Sequence, residues 1–187
     1  MSTTRSGEPL AIDFANTRRV SRGVPVELLP DPAALGTWLS EQLGQPGQDD
    51  LAALLGPAEW ERFVGLRDAI RALALAANDE KPDPPDDLAT VNAAAAAAPV
   101  WPELADGVAI ERTSAGAVEA ALAALARSAI AVFGGPDRQD VRACGRRPLC
   151  VRFFVKNHPR RDYCSPACAN RARVSRHHER HKTEPQP

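Results

Sequence analysis

Apolar residues recur at helical spacing through much of the first part of the chain. Between residues 58 and 77, Phe63, Leu66, Ile70 and Leu73 share one face, and charged residues lie off that face. This spacing is typical of an amphipathic α-helix. Similar patterns predict helices over about 31–43, 85–97 and 115–133, with prolines or glycines near their ends. The sequence therefore predicts a mainly α N-terminal part.

Two other segments have the pattern of strands. Residues 10–17 alternate Leu10, Ile12 and Phe14 with small or polar residues, which predicts a short strand with one apolar face. Residues 101–113 contain Asp106-Gly107, a favoured two-residue hairpin turn. Because an isolated hairpin is marginally stable, we expect the strand at 10–14 to pair with it. The predicted fold class is thus mainly α (α+β), with a small antiparallel β element.

Several polar residues of this first part are candidates for a site. Asp13 interrupts an apolar strand, and its carboxylate needs a partner if it is buried. Arg67 lies one step from the apolar face of its predicted helix and is the partner that we expect. These groups form either a structural ion pair or a ligand pocket. The candidate ligand-binding residues are Asp13, Asn16, Thr17, Arg67 and Asn92.

The first part of the chain contains no recognisable catalytic motif. No histidine precedes His158, no cysteine precedes Cys144, and there is no Gly-rich phosphate loop. We therefore expect that the protein is not an enzyme. The alternative is an enzymatic pocket built on Asp13, Asn16 and Arg67.

Charge divides the chain near residue 137. Residues 1–137 hold 10 Lys and Arg against 20 Asp and Glu, whereas residues 138–187 hold 13 against 4. The net charge of −1 therefore hides an acidic part and a basic part. We predict two domains with these bounds and with separate cores. A small basic domain is typical of a polyanion binder, and the alternatives are a solvated tail or docking on the acidic part.

All four cysteines lie in the basic part, as the pairs Cys144/Cys150 and Cys164/Cys168. Four thiolates complete a tetrahedral shell with no open position, which favours one structural Zn²⁺ over a catalytic metal. Two disulfides, an iron–sulfur cluster and free thiols are the alternatives. No secretory signal is visible, so we expect a reducing, cytoplasmic location. No segment approaches the roughly 20 apolar residues that span a bilayer, so we expect no membrane partner.

The basic part has the pattern of a hairpin followed by a helix. Residues 151–156 alternate partly like a strand, 157–159 form a turn, and 160–163 return the chain. Ser165 and Pro166 suit the N-cap and the first position of a helix, which places Cys168 in its first turn. One zinc ion would pin both ends of this treble-clef-like arrangement.

The helix that follows is strongly basic. Arg173, Arg176 and Arg180 share one helical face. Guanidinium groups bind phosphate in a bidentate manner and reach guanine edges in the major groove. The candidate nucleic-acid-binding residues are Arg160, Arg161, Arg171, Arg173, Arg176 and Arg180.

Segments at both ends of the chain are similar to known bacterial domains. Residues 164–173, CSPACANRAR, resemble the signature of the CGNR zinc-finger family. Residues 10–17, LAIDFANT, resemble the opening of the alanine-rich ABATE domain, and residues 66–71 and the helix around Asn92 match that domain too. The CGNR signature has a glycine where this chain has Ala169. Since we expect a helix there, alanine should be tolerated.

The resemblance implies a stress-induced bacterial transcription regulator whose finger binds DNA. Its zinc ligands would be Cys144, Cys150, Cys164 and Cys168. The N-terminal domain would act as a regulator or sensor, and a small-molecule effector and a homodimer are candidate partners besides DNA. The alternative is a protein-interaction module in which the finger is purely structural.

Overall fold

Our computed structural model describes residues 7–21, 23–44 and 51–183, and it gives no side chain for Ser21 or for residues 179–183. The described residues form seven α-helices and three two-stranded antiparallel sheets. The helices are α1 (Leu10–Ala15), α2 (Pro32–Leu43), α3 (Leu51–Leu54), α4 (Pro57–Asn78), α5 (Pro85–Ala96), α6 (Ala117–Phe133) and α7 (Pro166–Thr183). The strands are β1 (Arg18–Ser21), β2 (Val24–Glu27), β3 (Trp101–Ala105), β4 (Val108–Arg112), β5 (Val141–Ala143) and β6 (Phe153–Val155). The mainly helical fold class that the sequence predicts is confirmed.

The long helices begin and end near the predicted residues. At the start of α2, the Asp31 carboxylate accepts a hydrogen bond of 2.8 Å from the backbone N–H of Ala34. At the end of α6, a Cβ on Gly135 would collide with the carbonyl oxygen of Ala131, so only glycine fits there. Helices α1, α4, α5 and α6 pack against one another around an apolar core. We call residues 1–137 the helical body.

The predicted strand at residues 10–17 is wrong, because this segment forms helix α1. Ala11, Ile12, Phe14 and Ala15 are all fully buried, so apolar residues cover most of the helix surface. A short apolar segment of this kind does not distinguish helix from strand by its period. The Ala11 N–H donates a hydrogen bond of 3.0 Å to the Ser128 hydroxyl, which links α1 to α6.

Two hairpins belong to the helical body. The β3–β4 hairpin has the predicted turn, in which Asp106 and Gly107 have φ values of 50° and 77°, as a type I′ turn requires. The predicted pairing of residues 10–14 with this hairpin is wrong, since residues 10–14 are helical and β3 and β4 are the two described strands of their sheet. The other hairpin, β1–β2, follows α1 directly and was not predicted.

The basic part, residues 138–187, is called the finger below. Its hairpin differs from the prediction, because β6 pairs with β5, which precedes the first cysteine, and residues 161–163 form no strand. Helix α7 begins as predicted: the Ser165 hydroxyl accepts a hydrogen bond from the Cys168 N–H, and Pro166 is the first helical residue. Ala169 lies inside α7, where glycine is not needed.

Strand β6 joins two clusters of buried residues. Phe153 and Val141 belong to the apolar core of the helical body, whereas Phe154 packs with the four cysteines. Successive strand residues point to opposite faces, so one strand serves both clusters. The expectation that the finger has a wholly separate core is therefore wrong. The domain boundary at residue 137 stays a prediction.

Candidate metal centre

The four cysteine sulfur atoms converge in the finger. Their Sγ atoms all lie within 4.8 Å of one another, and all four side chains are buried. Cys164 Sγ is 3.8 Å from Cys150 Sγ and 3.7 Å from Cys168 Sγ. A disulfide bond measures about 2.0 Å, so these sulfurs are not paired as disulfides.

The spacing of the sulfur atoms fits a tetrahedral metal ion. Four sulfurs at the usual Zn–S distance of about 2.3 Å from a tetrahedral centre lie about 3.8 Å apart. Cys150, Cys164 and Cys168 are separated by 3.7 to 3.9 Å, which matches that edge length. Cys144 would be the fourth ligand. Such a shell has no open position, so the metal it fits is a structural zinc ion rather than a catalytic one.

Local backbone contacts bring the two cysteine pairs together. The N–H of Cys144 bonds the carbonyl oxygen of Arg152 at 2.9 Å, which continues the β5–β6 ladder up to the first ligand. The N–H of Gly145 bonds the Asp162 carbonyl at 2.9 Å and links the first pair to the segment before Cys164. A Cβ on Gly145 would lie 2.9 Å from that same oxygen. Glycine therefore permits this close approach of the two chain segments.

The thiols of the cysteine cluster share hydrogen bonds, which shift their pKa values in opposite directions. Hydrogen bonds from the thiols of Cys150 and Cys164 lower the pKa of Cys144. Hydrogen bonding with Cys144 is the main cause that raises the pKa of Cys150 and of Cys164. Mutual hydrogen bonding therefore couples the protonation of these three cysteines. Zinc binding must displace the thiol protons, so the zinc affinity falls as the pH falls.

Comparison with known families agrees with this arrangement. The family model of ABATE, described as "Putative stress-induced transcription regulator", matches residues 8–136. The chain belongs to the ABATE family. The model of the CGNR zinc finger matches residues 141–181, and no curated protein matches the chain. The resemblance to both families is confirmed, and the four cysteines of this CGNR finger are positioned to bind one structural zinc ion.

The helical body, which contains the ABATE match, binds the finger along the outer edges of the β5–β6 hairpin. The Asn16 side-chain amide donates to the Phe153 carbonyl oxygen at 2.9 Å, and its oxygen accepts from the Phe153 N–H at 2.8 Å. Glu8 accepts from the Val155 N–H at 2.9 Å, and Asn78 accepts from the Ala143 N–H at 2.7 Å. Side chains of the helical body therefore take the place of neighbouring strands on both edges.

Two arginines strengthen this attachment. The Arg71 guanidinium donates to the carbonyl oxygens of Ala15 and Val151 and lies 5.4 Å from the Phe153 ring centre. Burial is the main cause that lowers the pKa of Arg71 to about 10, so it keeps its charge at neutral pH. From the finger side, Arg161 forms an ion pair with the buried Glu8 carboxylate and stacks 4.6 Å from the Phe154 ring centre.

The predicted ligand-binding residues take different positions in the structure. Asn16 attaches the finger, and Thr17 donates to the Phe14 carbonyl oxygen at 2.7 Å. Arg67 does not take Asp13 as its ion-pair partner; it pairs with Glu27 at 2.6 Å and with Asp68 at 3.7 Å, and it donates to Thr17 at 3.3 Å. Asp13 is half-buried on α1, and Asn92 is exposed on α5. The predicted Asp13–Arg67 pair is therefore wrong.

The predicted nucleic-acid-binding residues fall into two groups. Arg160, Arg171, Arg173 and Arg176 are exposed, and every residue from 173 to 178 of α7 is exposed. Arg161 instead makes the internal contacts described above. The side chain of Arg180 lies outside the described residues.

Three attachment residues were not singled out from the sequence, namely Glu8, Arg71 and Asn78. Glu8 meets Val155 across a separation of 147 positions, so no local pattern indicates its role. Asn78 is the last residue of α4, and its position at a helix end is only a weak indication that it contacts another segment. No helix in the described part of the chain is long and apolar enough to cross a membrane.

Proposed function

We propose that the finger binds DNA through helix α7 and that the ABATE part regulates transcription by positioning it. The observation that carries this proposal is the exposed basic surface of α7. Arg173 and Arg176 project from a segment whose residues 173–178 are all exposed. A helical segment whose side chains are all exposed presents its charges to solvent, where a polyanion can reach them.

The zinc centre supports this role by fixing the start of the helix. Cys164 precedes α7 and Cys168 lies in its first turn, so the metal anchors one end of the basic helix to the finger. The Arg173 side chain is oriented along the helix by a 2.7 Å hydrogen bond to Asn170. Arginines presented in this way suit bidentate contacts with phosphates and base edges.

We also propose that the ABATE part has no catalytic role. The polar residues that would build such a site are used elsewhere: Asn16 holds the finger, and Arg67 is paired with Glu27. We also propose a cytoplasmic location, where a reducing environment keeps the four thiols available for zinc.

A salt series tests the proposal. The zinc-loaded full chain is titrated with a labelled DNA duplex by fluorescence anisotropy at several salt concentrations. Replacing both Arg173 and Arg176 by Gln should weaken binding and reduce the salt slope by up to about 2, near one per lost phosphate contact. The matched control replaces Arg62 and Arg18, which are exposed on the helical body and paired with Glu119 and Asp68.

The control pair removes the same charge from the other part of the protein. It should leave the salt slope nearly unchanged. Equal losses in both variants would indicate a non-specific charge effect and contradict the role of α7. A full chain with no DNA affinity even at low salt would refute DNA binding, and a protein-interaction module would then be the better account.

A further inference from the structure

Most residues of the β3–β4 hairpin are exposed, on both faces, and Ala105 and Ile110 are half-buried. Leu104 is 78% exposed, Val108 61% and Trp101 46%. An isolated two-stranded hairpin is only marginally stable in water, and three or more strands are usually needed. An exposed apolar hairpin of this kind indicates a contact with a further strand.

The outer edge of β3 is blocked by a proline. Ala105 and Val108 flank the two-residue turn and exchange backbone hydrogen bonds with each other. In an antiparallel pair such positions alternate with positions whose backbone N–H and C=O groups point away from the partner strand. On β3, the outward residues are Pro102 and Leu104. Pro102 has no N–H to donate, which prevents regular pairing at this edge.

No residue in the described part of the chain pairs with the outer edge of β4. Its outward residues are Ala109 and Glu111, and both are exposed and can donate an N–H and accept at a carbonyl oxygen. The hairpin therefore has one edge that can accept a strand and one that cannot.

We propose that β4 pairs with β4 of a second copy of this chain, antiparallel, with Ile110 on the two-fold axis. In this register Ala109 of one copy faces Glu111 of the other, and their outward groups exchange hydrogen bonds. In this register all five residues of β4 in one copy lie opposite β4 residues of the other copy. The result is a four-stranded sheet with Pro102 on both outer strands, so the association closes at two copies.

Charge and side-chain packing favour this register. Arg112 of one copy lies opposite Val108 of the other, and no like charges face each other. A shift that centres the axis on Glu111 would set two glutamates opposite each other, which is destabilising. With Ile110 at the centre, Val108 and Ile110 of both copies lie side by side on one face of the sheet.

Oppositely charged substitutions of Ile110 test the proposal. Sedimentation velocity measures the mass of the zinc-loaded full chain over a wide concentration range. Wild type should dimerise, and Ile110→Lys and Ile110→Glu should each raise the dimer Kd by about tenfold or more, because like charges meet on the axis. An equimolar mixture of the two variants should form a heterodimer, since the lysine introduced in one copy then faces the glutamate introduced in the other.

Leu104→Lys is the matched control. It places the same charge at an exposed apolar position on the blocked strand and should leave the dimer intact. Circular dichroism establishes that each variant retains its helices. A wild type that stays monomeric at the highest concentration would overturn the proposal. So would dimers that survive both Ile110 variants, or a mixture of the variants that fails to associate.

Discussion

The helical body buries many large apolar side chains in one core, whereas the finger's own cluster consists of its four cysteines and Phe154, with Tyr163 partly buried beside them. A region with so little apolar burial cannot fold by the hydrophobic effect alone. The finger has two other sources of stability. One is the four-cysteine metal site, and the other is the set of contacts that the helical body makes with the β5–β6 hairpin.

This difference shows how a small metal domain becomes part of a larger one. Phe153 packs in the core of the helical body, whereas its neighbour Phe154 packs with the cysteines. Polar side chains from Glu8, Asn16 and Asn78 then occupy the free edges of the hairpin. Zinc occupancy and the stability of the helical body should therefore be coupled.

Removing a zinc ligand should have the largest effect on the stability of the finger relative to that of the helical body. Cys168→Ser should abolish zinc binding and unfold α7, because binding of structural zinc contributes about 10–16 kcal/mol. The helical body should stay folded with a lower Tm, since it loses the ordered Phe153. Metal analysis measures the bound zinc, and circular dichroism measures the loss of α7. Tryptophan fluorescence measures the Tm of the helical body, because Trp38, Trp60 and Trp101 all lie there.

Ser175→Ala is the control for this experiment, since Ser175 is exposed on α7. It should retain about one zinc per chain and the wild-type Tm. A Cys168→Ser protein that still holds one zinc ion would contradict the four-cysteine site. An unchanged Tm of the helical body would contradict the coupling between the two regions.

The two neighbouring phenylalanines should have different effects. Phe153→Ala should lower the free energy of unfolding of the helical body by about 3–5 kcal/mol, as large cavities in a core do. Phe154→Ala should act mainly on the metal site, because Phe154 packs with the cysteines. Denaturant unfolding followed by tryptophan fluorescence reports on the body, and competition with a chelator reports on the zinc affinity. If both variants changed both quantities equally, the two clusters would behave as one.

The sequence predicts those features that depend on neighbouring residues. Helices α2, α4, α5 and α6 were found because their hydrogen bonds and apolar stripes repeat within a few positions. The Ser165 cap, the Asp106-Gly107 turn and the four-cysteine cluster are local for the same reason.

Features that depend on distant residues were missed or assigned wrongly. Helix α1 is six residues long and buried on most sides, so its period carries little information. The strand partner of β6 was misassigned because pairing with β5 spans the whole first cysteine pair. The Asn16–Phe153 contact joins residues 137 positions apart, and nothing near Asn16 in the sequence indicates this partner.

The Asn16 amide gives the smallest and most specific test of the attachment. Asn16 is 6% exposed, and its amide makes two hydrogen bonds to the Phe153 backbone. Asn16→Ala leaves a buried N–H and a buried carbonyl oxygen of Phe153 without this partner, which should cost about 1–3 kcal/mol of unfolding free energy. Asn92→Ala makes the same chemical change at an exposed position of α5 and should stay within about 0.5 kcal/mol of wild type. Denaturant unfolding measures both variants, and chelator competition should show weaker zinc binding for Asn16→Ala alone. Equal behaviour of the two variants would mean that the amide does not hold the finger, and that Phe153 packing alone joins the two regions.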